Sequence, residues 1–89
     1  MIKSPLFQRR LRRWAKKHPQ SKAAVEATLD ALEADAFQPS LKTHKLQGDL
    51  SAYYACSSGY DLRILFEVVT QNGAEVVFLL TLGTHEEVY

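Results

Sequence analysis

The chain has one cysteine, Cys56, so an internal disulfide and a CxxC redox or zinc pair are both excluded. No acidic residue precedes Glu26. No apolar run approaches the ~20 residues that span a bilayer. The basic residues near the N-terminus are not followed by an apolar segment of the kind a signal peptide carries. There is no Walker-type loop, no GxGxxG and no nucleophile elbow, which removes the common nucleotide-binding and hydrolase signatures. Three widely spaced histidines do not make a zinc signature. The expectation is a cytoplasmic protein that needs neither metal nor cofactor and does not engage a membrane.

What remains is an 89-residue chain, 46% apolar with a formal net charge of +1. That length suits one domain over residues 1–89 with a small core. The near-neutral total conceals a strong asymmetry. Eight of the eleven Lys and Arg residues fall within the first 22 positions: Lys3, Arg9, Arg10, Arg12, Arg13, Lys16, Lys17 and Lys22. A basic block of this kind can meet phosphates or an acidic partner, or simply form a solvated helix face.

Hydropathy divides the chain into helices followed by strands. Ser4-Pro5 supplies a cap and a first-turn proline. Phe7, Leu11 and Trp14 then make one apolar stripe, and His18-Pro19 ends the helix. Pro19 opens a second helix whose stripe is Val25, Leu29, Leu32 and Ala36, with Glu26, Asp30, Glu33 and Asp35 on the polar side. The pair reads as an antiparallel hairpin, basic then acidic, closed by Phe37-Gln38-Pro39. Strands are expected over 41–46, 52–57, 60–70 and 75–82. Turns fall at Gln47-Gly48-Asp49, Ser58-Gly59 and Gln71-Asn72-Gly73. The fold class is α+β, a helical hairpin packed on one face of a twisted antiparallel sheet. In the third strand Leu62, Ile64, Phe66 and Val68 alternate toward the helices. Asp61, Arg63, Leu65 and Glu67 take the open face.

The most apolar run, 76–82, leads into Gly83-Thr84-His85-Glu86-Glu87-Val88-Tyr89. Gly83 is expected to break the strand, leaving a histidine and an aromatic hydroxyl held at its exit. His44, Asp61, Arg63, His85 and Tyr89 form a metal-free acid–base set near strand ends or on the open face. RNA can be cut by its own 2′-OH when a base takes that proton, an acid protonates the departing 5′-oxygen and positive charge steadies the phosphate. Two histidines and an arginine fit those needs, and the same residues fit a plain binding module. His18 reads as structural or solvated, and Cys56 as a small core filler. Tyr53, Tyr54 and Tyr60 read as packing residues rather than base-stacking platforms.

The segments Thr43-His44-Lys45-Leu46-Gln47-Gly48, Ala52-Tyr53, Tyr60-Asp61-Leu62-Arg63-Ile64-Leu65-Phe66 and Leu82-Gly83-Thr84-His85-Glu86-Glu87-Val88-Tyr89, in that order, resemble the RelE/ParE superfamily of toxin–antitoxin toxins. The YafQ-like branch of ribosome-dependent mRNA interferases is the nearest in pattern. The resemblance implies a microbial RNase fold, mRNA cleavage in the ribosomal A site and inhibition by a cognate antitoxin, with operator DNA reached only through that antitoxin. It gives His44, Asp61, Arg63, His85 and Tyr89 catalytic positions. His85 would be the acid, His44 or Asp61 would assist the 2′-OH, Arg63 would hold the phosphate and Tyr89 would orient or stack on a base. Arg9, Arg10, Arg12, Arg13, Lys16, Lys17, Lys42 and Lys45 would contact ribosomal RNA. Members of the branch carry a histidine where this chain has Ser57. The three residues before Ser4 leave room for only a very short first strand. The same resemblance also admits a ParE-like DNA gyrase inhibitor without nuclease activity, or an inactive relative that only binds its antitoxin.

Overall fold

A computed structural model describes residues 1–59 and 61–89. Tyr60, expected to begin the third strand and weighed as a base-stacking tyrosine, lies outside the described residues. The elements run β1 (Ile2–Lys3), α1 (Pro5–Lys17), α2 (Lys22–Ala34), β2 (His44–Lys45), β3 (Tyr54–Ser58), β4 (Leu62–Gln71), β5 (Ala74–Thr84) and α3 (His85–Val88). Short 3-10 turns cover Pro19–Ser21, Pro39–Leu41 and Gly48–Leu50.

The sheet order is β1-β5-β4-β3-β2. β2 to β5 are antiparallel as expected. The added strand β1 lies parallel to β5, so the sheet is mixed rather than wholly antiparallel. β1 pairs only Ile2 with Phe78 and Lys3 with Leu79, a very short edge as expected. Ser4 continues the contact, its N–H donating to Leu79 O at 3.0 Å and its hydroxyl to Leu80 O at 2.7 Å. The same hydroxyl accepts from Phe7 N at 3.0 Å, so one buried serine ties the strand edge to the start of α1.

Both helices turn their apolar stripes onto one sheet face. Phe7, Val25, Leu29 and Leu32 are buried there with Cys56, Leu62, Ile64, Phe66, Leu79 and Leu82, and Leu11 and Trp14 pack at the margin. Fully burying a side chain such as Phe7 contributes about 2–3 kcal/mol. The acidic residues of α2 stay exposed. The expected alternation of β4 holds, with Val68 packed against the core at its margin.

Several boundaries differ for local reasons. Pro19 opens a 3-10 turn and α2 begins at Lys22. α2 ends at Ala34, so the buried Ala36 belongs to the following turn. The strand expected over 41–46 shrinks to His44–Lys45: Leu41 is a buried end of a 3-10 turn, and Lys42 takes a left-handed φ of 53°. β3 starts at Tyr54, two residues late, because Gly48–Leu50 forms a 3-10 turn. The Asn72-Gly73 hairpin is as expected, with φ of 51° and 80° and Gln71 facing Ala74, the two-residue turn that matches strand twist.

β5 contains an irregularity that matters for the site. Leu65 faces Thr81 while Phe66 faces Leu79, so Leu80 is an extra residue, a β-bulge. Beyond it the alternation of β5 switches phase. Thr81 and Gly83 stand with Leu65 and Arg63 on the face away from the helices, while Leu82 remains in the core.

Candidate functional site

The far end of the open face is built from β4, β5 and α3. Gly83 does not break the strand. It pairs with Arg63, and β5 runs on to Thr84, which pairs with Leu62. Thr84 is instead the cap of α3. Its hydroxyl accepts from Glu87 N at 3.3 Å, and the Glu87 carboxylate accepts from Thr84 N at 2.8 Å. This reciprocal capping box satisfies two backbone donors and fixes the chain reversal. The role of Gly83 is to make room: a Cβ there would lie 3.1 Å from Glu87 Cβ and Oε1, and 3.3 Å from Val88 Cγ1.

The single turn of α3 sets His85 and Tyr89 four residues apart on one side. Their rings meet edge-to-face with centroids 4.5 Å apart. Both residues are exposed. Burial raises the Tyr89 phenol above its ordinary range; nearby Arg63 pulls it down, and Cys56 adds to the rise. Arg63 is partly buried, lies between Ser57 and Gly83 across the sheet, and donates from Nη1 to Leu62 O at 3.2 Å. The His85–Tyr89 pair and Arg63 therefore lie at the same end of the sheet, where Gly83, the cross-strand neighbour of Arg63, packs against α3. Ser57, where a second proton carrier stands in the resembling branch, is the direct cross-strand neighbour of Arg63.

His44 shares that face but not that corner. It pairs with Ala55, which faces Leu65, and its Nδ1 lies 3.2 Å from Lys42 O. Two strand spacings sideways and two residues along put its backbone roughly 12 Å from that of Arg63.

Asp61 departs from expectation. It lies in the turn before β4 rather than on the strand, and it is exposed. It lines a cavity with Trp14, His18, Ser21 and Ser58, at the corner of the helical hairpin. It stays at the same end of the sheet as His85, because Leu62 pairs with Thr84.

Arg9, Arg12, Arg13, Lys16 and Lys17 are exposed on α1, and Lys42 and Lys45 are exposed near β2. Arg10 is different: its Nη1 donates to the Thr81 hydroxyl at 2.8 Å, reaching past the β5 edge that β1 leaves uncovered. Sequence reasoning missed this bond because nothing local links positions 71 residues apart. It also missed the capping box, although Thr84-x-x-Glu87 carries the required spacing.

The remaining candidates pack. His18 caps the C-terminus of α1 and stacks on Trp14 with ring centroids 4.0 Å apart. Tyr54 stacks on Phe66 and meets the exposed Phe37 edge-on. Cys56 is fully buried, and loss of solvation pushes its thiol up to about 12. Among the described residues no cluster of His, Cys, Asp or Glu could hold a metal ion. No helix among them is long and apolar enough to cross a membrane.

No family model and no curated protein matches this sequence. Solved structures do match its fold. YafQ from E. coli strain BL21(DE3) superposes with a TM-score of 0.80 at 14% identity, covering 99% of this chain and 94% of that one. A YoeB/ParE toxin from Agrobacterium tumefaciens gives 0.78 at 12% identity, covering 94% and 96%. The E. coli DinJ–YafQ complex gives 0.79 at 16% identity, covering 99% and 94%. The chain has the RelE/YafQ-like toxin fold.

Proposed function

We propose that this chain is the toxin of a toxin–antitoxin pair, acting in the cytoplasm as an endoribonuclease on ribosome-bound mRNA. The observation that carries the reading is the His85–Tyr89 ring pair on α3, packed over Gly83 at the end of the sheet where Arg63 is that glycine's cross-strand neighbour. The fold shared with YafQ and YoeB/ParE toxins supports it. So does the order of the HKLQG, DLRILF and GTHEEVY segments.

In this mechanism Arg63 holds the scissile phosphate and offsets the charge that grows on it. His85 donates the proton to the leaving 5′-oxygen. Tyr89 orients that ring and offers a surface for a base. His44, which the register places on the same sheet face, takes the 2′-OH proton. Asp61 is the alternative base, at the right end of the sheet but facing the hairpin corner. The exposed cations of α1, with Lys42 and Lys45, bind ribosomal RNA phosphates. A cognate antitoxin silences the protein and links it to operator DNA; a structure of the YafQ fold in complex with DinJ supports an antitoxin partner.

The test is translation-coupled mRNA cleavage by wild type, His85→Ala, His44→Ala and Asp61→Asn. Loss of cleavage with His85→Ala supports the mechanism, and equal cleavage by wild type and His85→Ala removes His85 from it. Ser57 beside Arg63 favours a second reading, a ParE-like gyrase inhibitor, because the site then has one proton carrier fewer than the branch it resembles. Inhibition of supercoiling by purified gyrase, without mRNA cleavage, would establish that reading instead.

A further inference from the structure

A cavity of about 230 Å³ lies between the second half of α1 and the C-terminal turn, away from the ring pair. Arg10, Arg13, Lys17, His18, Trp14 and Glu87 line it. Its volume is several times the ~30 Å³ share of one water, room enough for a phosphate group.

We infer that this cavity is a phosphate subsite for an RNA backbone, and that Glu87 holds the phosphate's place in the unbound protein. The inference deepens the function proposed above by taking the ligand to be RNA, but it does not require that the RNA be cut.

Three observations carry it. Arg10, Arg13 and Lys17 follow at i, i+3 and i+7, which stacks them along one side of α1. Arg10 is preset by its bond to Thr81, which leaves its other N–H groups for a ligand. The exposed Glu87 carboxylate lines the cavity with these cations; its own cap at the Thr84 backbone N–H chiefly holds it below its ordinary range, and the charges of Arg13 and Lys17 add to the lowering. One carboxylate faces three cations. Among the described residues no ion pair engages Arg10, Arg13 or Lys17. The positive charge is felt by Glu87 without being consumed by it. A phosphodiester, with two free oxygens for the guanidinium forks, answers that imbalance better than a carboxylate held by its own cap. The buried Trp14 Nε1–H, which has no acceptor among the described residues, belongs to an indole on the same wall.

The test is fluorescence anisotropy with a labelled 2′-O-methyl RNA, which keeps the phosphate backbone and blocks 2′-OH attack. Glu87→Gln preserves the capping box, where Gln serves as well as Glu, and removes the internal anion. It should tighten binding about fivefold. Asp30→Asn makes the same change in net charge on the exposed face of α2 and should shift binding less than twofold. The double variant Arg13→Ser, Lys17→Ser should weaken binding tenfold or more. It should also flatten the salt dependence by about 1.4 in log–log slope, two single-strand phosphate contacts. Lys3→Ser with Lys22→Ser, exposed cations outside both the cavity and the proposed RNA contacts, should do less on both counts. The inference is overturned if Glu87→Gln binds no more tightly than Asp30→Asn, or if the Lys3/Lys22 pair matters as much as the Arg13/Lys17 pair. Absence of mRNA cleavage would overturn the nuclease proposal and leave these binding differences standing.

Discussion

Gly83→Ala should separate activity from stability in this protein. The new Cβ would sit 3.1 Å from two Glu87 atoms and 3.3 Å from Val88 Cγ1, where ordinary carbon contacts need ~3.5–4.0 Å. β5 cannot yield, because Gly83 is buried and paired with Arg63. α3 must move instead, and it is one turn held mainly by the Thr84–Glu87 box. Overpacking in a rigid core costs about 1–3 kcal/mol. Here the strain is capped by the price of opening the box, about 1 kcal/mol. Gly→Ala also restricts the unfolded chain, returning about 0.4–1 kcal/mol. The net change in a urea midpoint should therefore be close to zero. The His85–Tyr89 pair, however, rides on the displaced turn. A shift of order 1 Å in a catalytic group can cost ~100-fold, so cleavage should fall by one to two orders of magnitude. The assay pairs urea denaturation with translation-coupled cleavage, and follows the His85 ring protons by NMR as a direct report of Tyr89 stacking. Unchanged His85 shifts with unchanged cleavage would refute the argument that glycine is needed there for room.

Three further outcomes follow from the same geometry. Arg10→Met keeps the aliphatic stem but leaves the buried Thr81 hydroxyl without its donor, and urea unfolding should show a loss of about 1–3 kcal/mol. The Glu87 carboxyl is held low in the folded state, so its contribution to docking of α3 is present above the ordinary glutamate value of 4.5 and is lost as pH falls through the folded value; NMR of the His85–Tyr89 pair should show the turn loosening on acidification below that range, and Glu87→Gln should remove this pH dependence. The Cys56 thiol is raised from 9.0 to about 12, so the unfolded chain ionises first and stability should fall from pH 9 toward pH 12, by at most little more than ~1 kcal/mol per pH unit; Cys56→Ala should lack this slope in urea titrations, and the folded wild-type thiol should resist alkylation at pH 8.

The parts of the fold that were legible in sequence are those governed by local chemistry. Ser4-Pro5 capped α1 as its side-chain chemistry requires, and the Phe7–Leu11–Trp14 stripe faced the sheet. Asn72-Gly73 made its hairpin because both positions need positive φ. β4 could be read for faces because polar Arg63 and Glu67 mark one side. β5 could not: its run from Val76 to Leu82 is apolar on both sides but for Thr81, so alternation carries no phase and the bulge at Leu80 leaves no mark. β1 was foreseen only as a short edge, since two residues hold no periodicity and its parallel pairing with β5 is a tertiary fact. Of the candidate residues, His85 and Tyr89 were read four apart at the exit of β5, but the helical turn that brings their rings together was not. Asp61 was misplaced because strand alternation was extended back one residue before the start of β4.

The bulge explains why these features coincide. Before Leu80 the odd residues of β5, Val77 and Leu79, face the helices. With strict alternation Thr81 and Gly83 would follow them inward. Thr81 would then sit in the core, and Gly83 would leave a gap beneath α1. The single extra residue moves both to the open face and returns Leu82 to the core. Three consequences depend on that shift. Thr81 becomes the acceptor for Arg10 at the uncovered strand edge. Gly83 becomes the floor against which α3 folds. The chain leaves β5 in the direction that sets Tyr89 near Arg63. At 12–16% identity to the neighbours described above, apolar volume and periodicity suffice to keep the two layers packed. The corner of His85, Tyr89 and Arg63 demands more than volume. It needs one residue inserted at one place in an otherwise featureless strand, and the phosphate cavity beside α1 depends on the same insertion through Thr81 and Gly83.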